Sequence, residues 1–251
     1  MCSLNHNWVI AVEADWHISM VNGRPDFPYG TQKDGNIWEH FFEPLPFCKF
    51  PFLLSVRTSR FKDYSITGTE AYDLYKSGQE WRNTYHAAYA KYIRIKQHIQ
   101  EKVEQIYRDY LEGNYCIGIL VRNQSHKREQ KTNKMPTTAE YVEKIKENLP
   151  SNDKKVIIYL ATDVEEVVSE FKNIFGDKVI VQPNVIRSAC HGKEEGDQRW
   201  YKNPSPQLKD GEEVLIDCLL LARCNVFIHT TSNIATAVGY INKNIRMIYC
   251  E

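Results

Sequence analysis

The spacing of apolar positions changes once along this chain, near residue 113. Upstream, across residues 78–111, Trp81, Tyr85, Tyr89, Tyr92, Ile93, Ile95, Ile99, Val103, Ile106, Tyr107 and Leu111 recur at helical spacing. They predict one long helix or two in series, ending near Gly113. Downstream, apolar runs of strand length alternate with amphipathic stretches. YCIGILV (115–121), VIIYLA (156–161), residues 179–182, 226–229 and 247–250 predict strands. Residues 137–149, 164–175, 212–222 and 234–241 predict helices, the second opened by a cap at Thr162-Asp163. Strand and helix in alternation argue for a parallel sheet covered on both faces, an α/β fold.

The first third is less regular. WVIAV (8–12) and residues 52–56 have the length of short strands, and the Pro/Gly/Asn-rich stretch 22–36 predicts loop. The aromatic density of residues 37–44 predicts a short helix under a lid. Residues 184–210 form a polar stretch too long for an ordinary connection, as functional lids often are. The shift near Gly113 predicts a lobe boundary, with 1–112 as a reduced acceptor-side lobe and 113–251 as a ligand-binding lobe.

Composition removes some classes. The 251 residues suffice for one large α/β domain or two lobes, and Lys plus Arg equals Asp plus Glu at 32 each. No global field favours nucleic acid or an anionic membrane, so an anionic ligand must be gripped locally. The longest apolar runs, 155–161 and 214–222, fall short of the ~20 residues that cross a bilayer, so no membrane span is expected. The first 15 residues lack the features of a secretory signal, which predicts a cytoplasmic protein. Seven scattered cysteines without a C-x-x-C pair fit neither a zinc site nor a disulfide framework, and are expected reduced and mostly buried. The sequon at Asn123-Gln124-Ser125 matters only in a secreted protein.

In open parallel sheets, ligands bind beyond the carboxyl ends of the strands. There the sequence places Arg122, His126, Lys127, Arg128 and Glu129 after one strand, Asp163 after another, and Thr230, Thr231, Ser232 and Asn233 after a third. Arg122 offers a bidentate, permanently charged grip on a diphosphate. The 230–233 turn reads either as an ordinary N-cap or as a second anion grip at a helix start. Arg187, in the long polar stretch, is a further donor-binding candidate. Asp217 lies inside an apolar helix and needs a partner, either a structural one or a nucleotide or Arg122. His126 and Glu129 each fit a general base, or a solvated loop charge. Dinucleotide, P-loop, nucleophile-elbow and zinc-type motifs are absent, Glu13-Ala14-Asp15 only approximates a D-x-D, and no metal ligands are predicted.

The runs Ile117-Gly118-Ile119-Leu120-Val121-Arg122, Tyr159-Leu160-Ala161-Thr162-Asp163, Phe175-Gly176-Asp177, and Leu215-Ile216-Asp217 through Ser232-Asn233 resemble the superfamily of α-1,6-, nodulation and protein O-fucosyltransferases. Residues 36–44 and Glu80-Trp81-Arg82 through Ile99 resemble N-terminal-lobe segments of bacterial and viral relatives. The resemblance implies a GT-B-like pair of Rossmann-like lobes, the first truncated, and an inverting, metal-independent transfer from a nucleotide sugar. It implies that Arg122 holds the β-phosphate, Asp217 contacts the nucleotide, and Thr231, Ser232 and Asn233 form a phosphate-binding turn. Glu129 falls near the family's catalytic carboxylate, with His126 its rival. Two departures touch the donor site: family members usually read His-Val-Arg where this chain has Leu120-Val121-Arg122, and Arg or Gly at Asn123. The resemblance also implies that the sequence starts near the family's second strand, with the first strand and its glycine-bearing loop expected to be missing.

The sequence therefore predicts a glycosyltransferase, a hexosyl- or pentosyltransferase that moves fucose, or another sugar such as xylose, from a GDP- or UDP-linked donor to an oligosaccharide or glycoprotein hydroxyl. No cofactor beyond that co-substrate is expected. A noncatalytic nucleotide- or carbohydrate-binding module on the same fold is the alternative, and an unrelated phosphate-binding α/β enzyme a third reading.

Overall fold

A computed structural model of the chain describes residues 20–21, 24–25, 38–43, 78–130, 132–151, 154–191 and 208–250. The strands expected at 8–12 and 52–56, and the acidic triplet at 13–15, lie outside the described residues. A two-residue antiparallel pair, β1 (Met20–Val21) with β2 (Arg24–Pro25), crosses the start of the stretch expected to be loop. The short aromatic helix is α1 (Trp38–Phe41).

The helical run upstream of residue 113 is two helices, α2 (Gln79–Tyr92) and α3 (Gln97–Ile106), followed by a single π turn, Tyr107–Leu111. A strand-like contact breaks it: Ile95 bridges Phe42 antiparallel, Lys96 N–H donates to the Phe41 carbonyl, and Glu43 N–H donates to that of Arg94. Gly113, at φ +75°, ends the run.

Downstream, the five strands are β3 (Tyr115–Val121), β4 (Val156–Thr162), β5 (Val179–Ile180), β6 (Val226–His229) and β7 (Arg246–Tyr249). All pair in parallel, in the order β5-β4-β3-β6-β7. The connecting helices are α4 (Thr138–Glu147), α5 (Glu165–Phe175), α6 (Leu208–Leu221) and α7 (Asn233–Ile241). Successive residues of β3 explain its unbroken apolar run: Cys116 and Leu120 enter one core with α3, α6 and α7, while Ile117, Ile119 and Val121 enter another with α4 and α5. The sheet is doubly wound.

The core does not break at Gly113. Phe41, Ile95, Ile99, Val103, Ile106 and Leu111 share one cluster with Leu220, Leu221, Ala235 and Val238. α2 docks on α7 and the loop beyond it: Arg82 Nη1 donates to the Ile245 carbonyl (2.9 Å), His86 Nδ1 lies 2.8 Å from the Tyr240 carbonyl, and Tyr85 stacks with Tyr240. Gly239 admits the Trp81 indole, since a Cβ there would lie 2.8 Å from Trp81 Cη2. The compositional shift at residue 113 marks where the sheet starts, not where packing stops.

Other boundaries differ locally. α4 begins at a reciprocal capping box between Thr137 and Glu140, whose carboxyl the Thr137 backbone and hydroxyl donors hold near pKa 2. α5 lacks the expected cap at Thr162-Asp163: the carbonyls of Ser188 and Ala189 accept from Glu165 N–H and Glu166 N–H instead. The start of the long polar stretch thus straps onto the β4–α5 turn, and α6 begins at Leu208, four residues before the helix expected at 212. Cys116, Cys218, Cys224 and Cys250 are buried free thiols and Cys190 is exposed. Burial pushes Cys116 up to about 11 and Cys218 and Cys250 to about 12, which leaves them protonated and inert.

Gly118 sits where α6 and the turn after it approach β3: an added Cβ would meet Leu221 Cδ2 at 2.9 Å and Cys224 Sγ at 3.0 Å. Gly118→Ala is expected to lower the unfolding free energy by about 1–3 kcal/mol through overpacking. A urea titration checks this through its midpoint at unchanged slope.

Candidate functional site

The strand order reverses between β3 and β6. β3 leads through α4 on one face to β4, whereas β6 leads through α7 on the other face to β7, so the carboxyl ends of β3 and β6 flank a topological switch point, the place where open α/β sheets bind ligands. Arg122 follows β3 and Thr230 follows β6, one on each side.

Arg122 is half-buried, with Nη2 2.7 Å from Nδ1 of His126. A guanidinium only donates, so that imidazole nitrogen accepts. His126 is 4% exposed, on a 3₁₀ segment (Gln124–Glu129) that opens when the Asn123 Oδ1 accepts from Ser125 N–H. Asn123 is fully buried, so the sequon is closed to a glycan in this fold. Its backbone N–H donates to Asp163 Oδ1 (3.2 Å), which ties the β3 and β4 loops together, and Asp163 Oδ2 is buried with no hydrogen-bond partner among the described residues. The backbone at Glu129 closes the same segment, but its side chain lies outside the described residues.

Across the switch point, Ser232 caps α7 by accepting from Ala235 N–H at 2.9 Å, and Thr231 Oγ1 lies 2.9 Å from the Tyr249 hydroxyl. The ordinary cap is thus present at this turn. The hydroxyls of Thr231 and Ser232 are engaged internally, exposed Asn233 opens the helix, and the first turn's remaining N–H groups lack intrahelical partners, as at any helix start. Sequence reasoning missed the residue that joins the two sides. Buried Gln130 donates through Nε2 to the Thr231 carbonyl (3.0 Å) and accepts through Oε1 from Thr231 N–H (3.2 Å). No motif or period marks a single Gln beyond a strand, and only the fold brings it to residue 231.

Two expected site residues work inside the lobe. Arg187 Nε donates to the Thr162 carbonyl and Nη2 to that of Gln182, with Nη1 3.8 Å from Glu165, a fork that clamps the loops after β4 and β5. Asp217 accepts from the Tyr159 hydroxyl at 2.5 Å and, with the Gln182 amide nitrogen turned toward it, from Gln182 at 2.8 Å. Tyr159 is fully buried in mid-strand, and desolvation, then the Asp217 charge, raise its pKa well above the phenolic value. Asp217 thus has the structural partner its apolar helix required.

His229, at the end of β6, was not singled out by the sequence. It is 2% exposed, stacks on Phe227 and packs edge-on to Tyr249, and burial lowers its pKa to about 4. Both states are neutral above the ordinary histidine value of about 6.5, where the fold keeps its full stability. As pH falls from there to about 4, the unfolded chain takes up a proton that the folded chain refuses, and stability drops. The expected loss, on the order of 2–3 kcal/mol, should vanish from the pH dependence of urea unfolding in His229→Gln.

No family model matches the chain, and the comparison with curated proteins gives no match. Among solved structures, the chain is similar to NodZ α-1,6-fucosyltransferase soaked with GDP-fucose, at 19% identity and TM-score 0.45, over 67% of this chain and 49% of that one. It is also similar to fucosyltransferase NodZ from Bradyrhizobium, at 21% and 0.41 over 62% and 45%. POFUT1 in complex with GDP follows at 12% and 0.44, over 69% and 52%. The chain spans about half the length of the solved chains it matches.

Proposed function

We propose that this chain is a glycosyltransferase that binds a nucleotide-sugar donor at the switch point between β3 and β6 and transfers the sugar to a glycan hydroxyl. One observation carries the reading: a guanidinium and a helix N-terminus stand on opposite sides of the switch point, and Gln130 ties their loops together. That pair suits a diphosphate leaving group, whose charge grows as the glycosidic bond breaks. Arg122 takes one phosphate bidentately, and the first turn of α7 faces another. Asp163 Oδ2 accepts from a donor hydroxyl or base N–H. The acceptor oxygen attacks the anomeric carbon as the diphosphate departs, with inversion, and its proton passes to Glu129, or to His126 Nδ1 once that nitrogen is released from Arg122. Arginine and helix dipole carry the leaving-group charge in place of a metal. α1 and α3 share the core of the sheet, with α2 docked on α7, and support the donor-side half of this reading.

The ligands named for the similar solved chains, GDP and GDP-fucose, supply the first arms of the test, and UDP and UDP-xylose the next. Donor turnover should fall about 10²–10³-fold in Arg122→Ala. Unfolding free energy should drop by about 1–3 kcal/mol as His126 Nδ1 loses this donor, which in a protein that stays folded does not account for the lost turnover. Unchanged turnover removes Arg122 from the site. Nucleotide binding without hydrolysis or transfer, by thermal shift and product analysis, supports the noncatalytic module instead. Glu129→Gln and His126→Gln separate the two bases: the true one costs about 10²–10⁴ in kcat.

A further inference from the structure

Two histidines and a carboxylate meet where α1, α3 and the first turns of α6 come together. His40 comes from α1, His98 from α3 and Glu212 from α6, and one donor atom from each lies within 4.8 Å of the others. Glu212 Oε1 is 2.8 Å from His40 Nε2 and 3.4 Å from His98 Nε2. Its second oxygen, Oε2, is held by Lys102 Nζ, one helical turn after His98. The Glu212 side chain is 11% exposed, whereas those of His40 and His98 are 28% and 45% exposed, so the cluster rests on a buried carboxylate and opens to solvent through its imidazoles.

From this convergence we infer a site for a zinc-class divalent transition-metal ion, bound by His40 Nε2, His98 Nε2 and Glu212 Oε1. Bond lengths of about 2.0–2.2 Å to imidazole and carboxylate place the ligand atoms of a tetrahedral ion about 3.3 Å apart, against 2.8 and 3.4 Å from Glu212 Oε1 to the two imidazoles and no more than 4.8 Å between any two of the three atoms here. Two neutral imidazoles and one carboxylate form a borderline donor set that suits Zn²⁺ over Mg²⁺ or Ca²⁺. Lys102 does not compete for the coordinating oxygen. It stays on Oε2 as the outer partner that orients the carboxylate. On binding, the proton between His40 Nε2 and Glu212 Oε1 moves to Nδ1 or to solvent, and the fourth position remains open to water. The ion would pin α1 to α3 and α6, adding a metal clamp where the backbone bonds of residues 41–43 to residues 94–96 already hold it. Nothing in the spacing announces the site, because its ligands are 58 and 114 residues apart.

The test uses the full chain without nucleotide, so its result is independent of the transferase reading. Zn²⁺ titrated in competition with a chromophoric chelator should bind one equivalent at this site and raise the Tm, and EDTA should reverse the rise. Co²⁺ should give ligand-field bands of a four-coordinate nitrogen–oxygen site without thiolate charge transfer, which separates it from the cysteines. His98→Ala, at the most exposed ligand, and Glu212→Gln should each weaken Zn²⁺ more than about 100-fold, beyond the effect of losing an outer partner. His86→Ala, a histidine outside the cluster, should leave affinity unchanged. Equal affinity in His98→Ala and the wild type, or a thiolate band with Co²⁺, overturns the site and leaves an ion-pair network of His40, His98, Lys102 and Glu212.

Discussion

A parallel sheet has no face to give to water, and the rest of this structure follows from that constraint. Its strands bury side chains on both sides, so helices must cover both, and α4 and α5 cover only one. The opposite face takes α6 and α7 from the alternating half of the chain and α3 from upstream of it, with α2 packed outside α7. That recruitment explains why packing runs through Gly113 although the sequence pattern changes there. It also sets the orientation of α7: Trp81 against Gly239, together with Arg82 and His86 on the Ile245 and Tyr240 carbonyls, holds the helix whose first turn opens at the switch point.

The polar groups above the sheet form a set of mutual constraints. Arg122 bonds to His126, Asn123 to Asp163, and Gln130 to both backbone groups of Thr231, so neither loop can move without breaking a buried or half-buried hydrogen bond. Buried bonds of this kind cost more to leave unmade than they contribute when made. Donors held this way need little reorganisation when charge develops on a ligand, and that property makes a fixed guanidinium effective in group transfer.

The sheet half was legible because its signal is local. β3 and β6 have the boundaries their apolar runs predict, and β4, α5 and α7 fall within a residue or so, since a strand buried on both faces shows in composition alone. The break between α2 and α3 was not legible, because a tertiary bridge from Phe42 causes it and the helical period runs on past it. Arg122 and the 230–233 turn stand directly after β3 and β6, as their place after apolar runs predicts. The roles of Arg187 and Asp217 turned on partners, the carbonyls of Thr162 and Gln182 and the hydroxyl of Tyr159, that no spacing rule reaches. Gln130, His229 and the meeting of His40 with His98 and Glu212 are likewise products of long-range packing.

α6 joins these parts through charge. Asp210, Glu212 and Glu213 crowd its first turns, where the helix dipole favours acids, yet all three are buried and each therefore needs a partner. Glu212 turns outward to His40, His98 and Lys102, while Asp217, five residues on, turns inward to Tyr159 and Gln182. The helix thus carries an acid toward the upstream segments on one side and toward the centre of the sheet on the other. An apolar α6 could cover the sheet equally well and bury it at lower cost. Carboxylates on two faces instead fix its rotation about its own axis, since a turn of even one residue would strand Asp217 away from Tyr159 and Glu212 away from its histidines in the same motion.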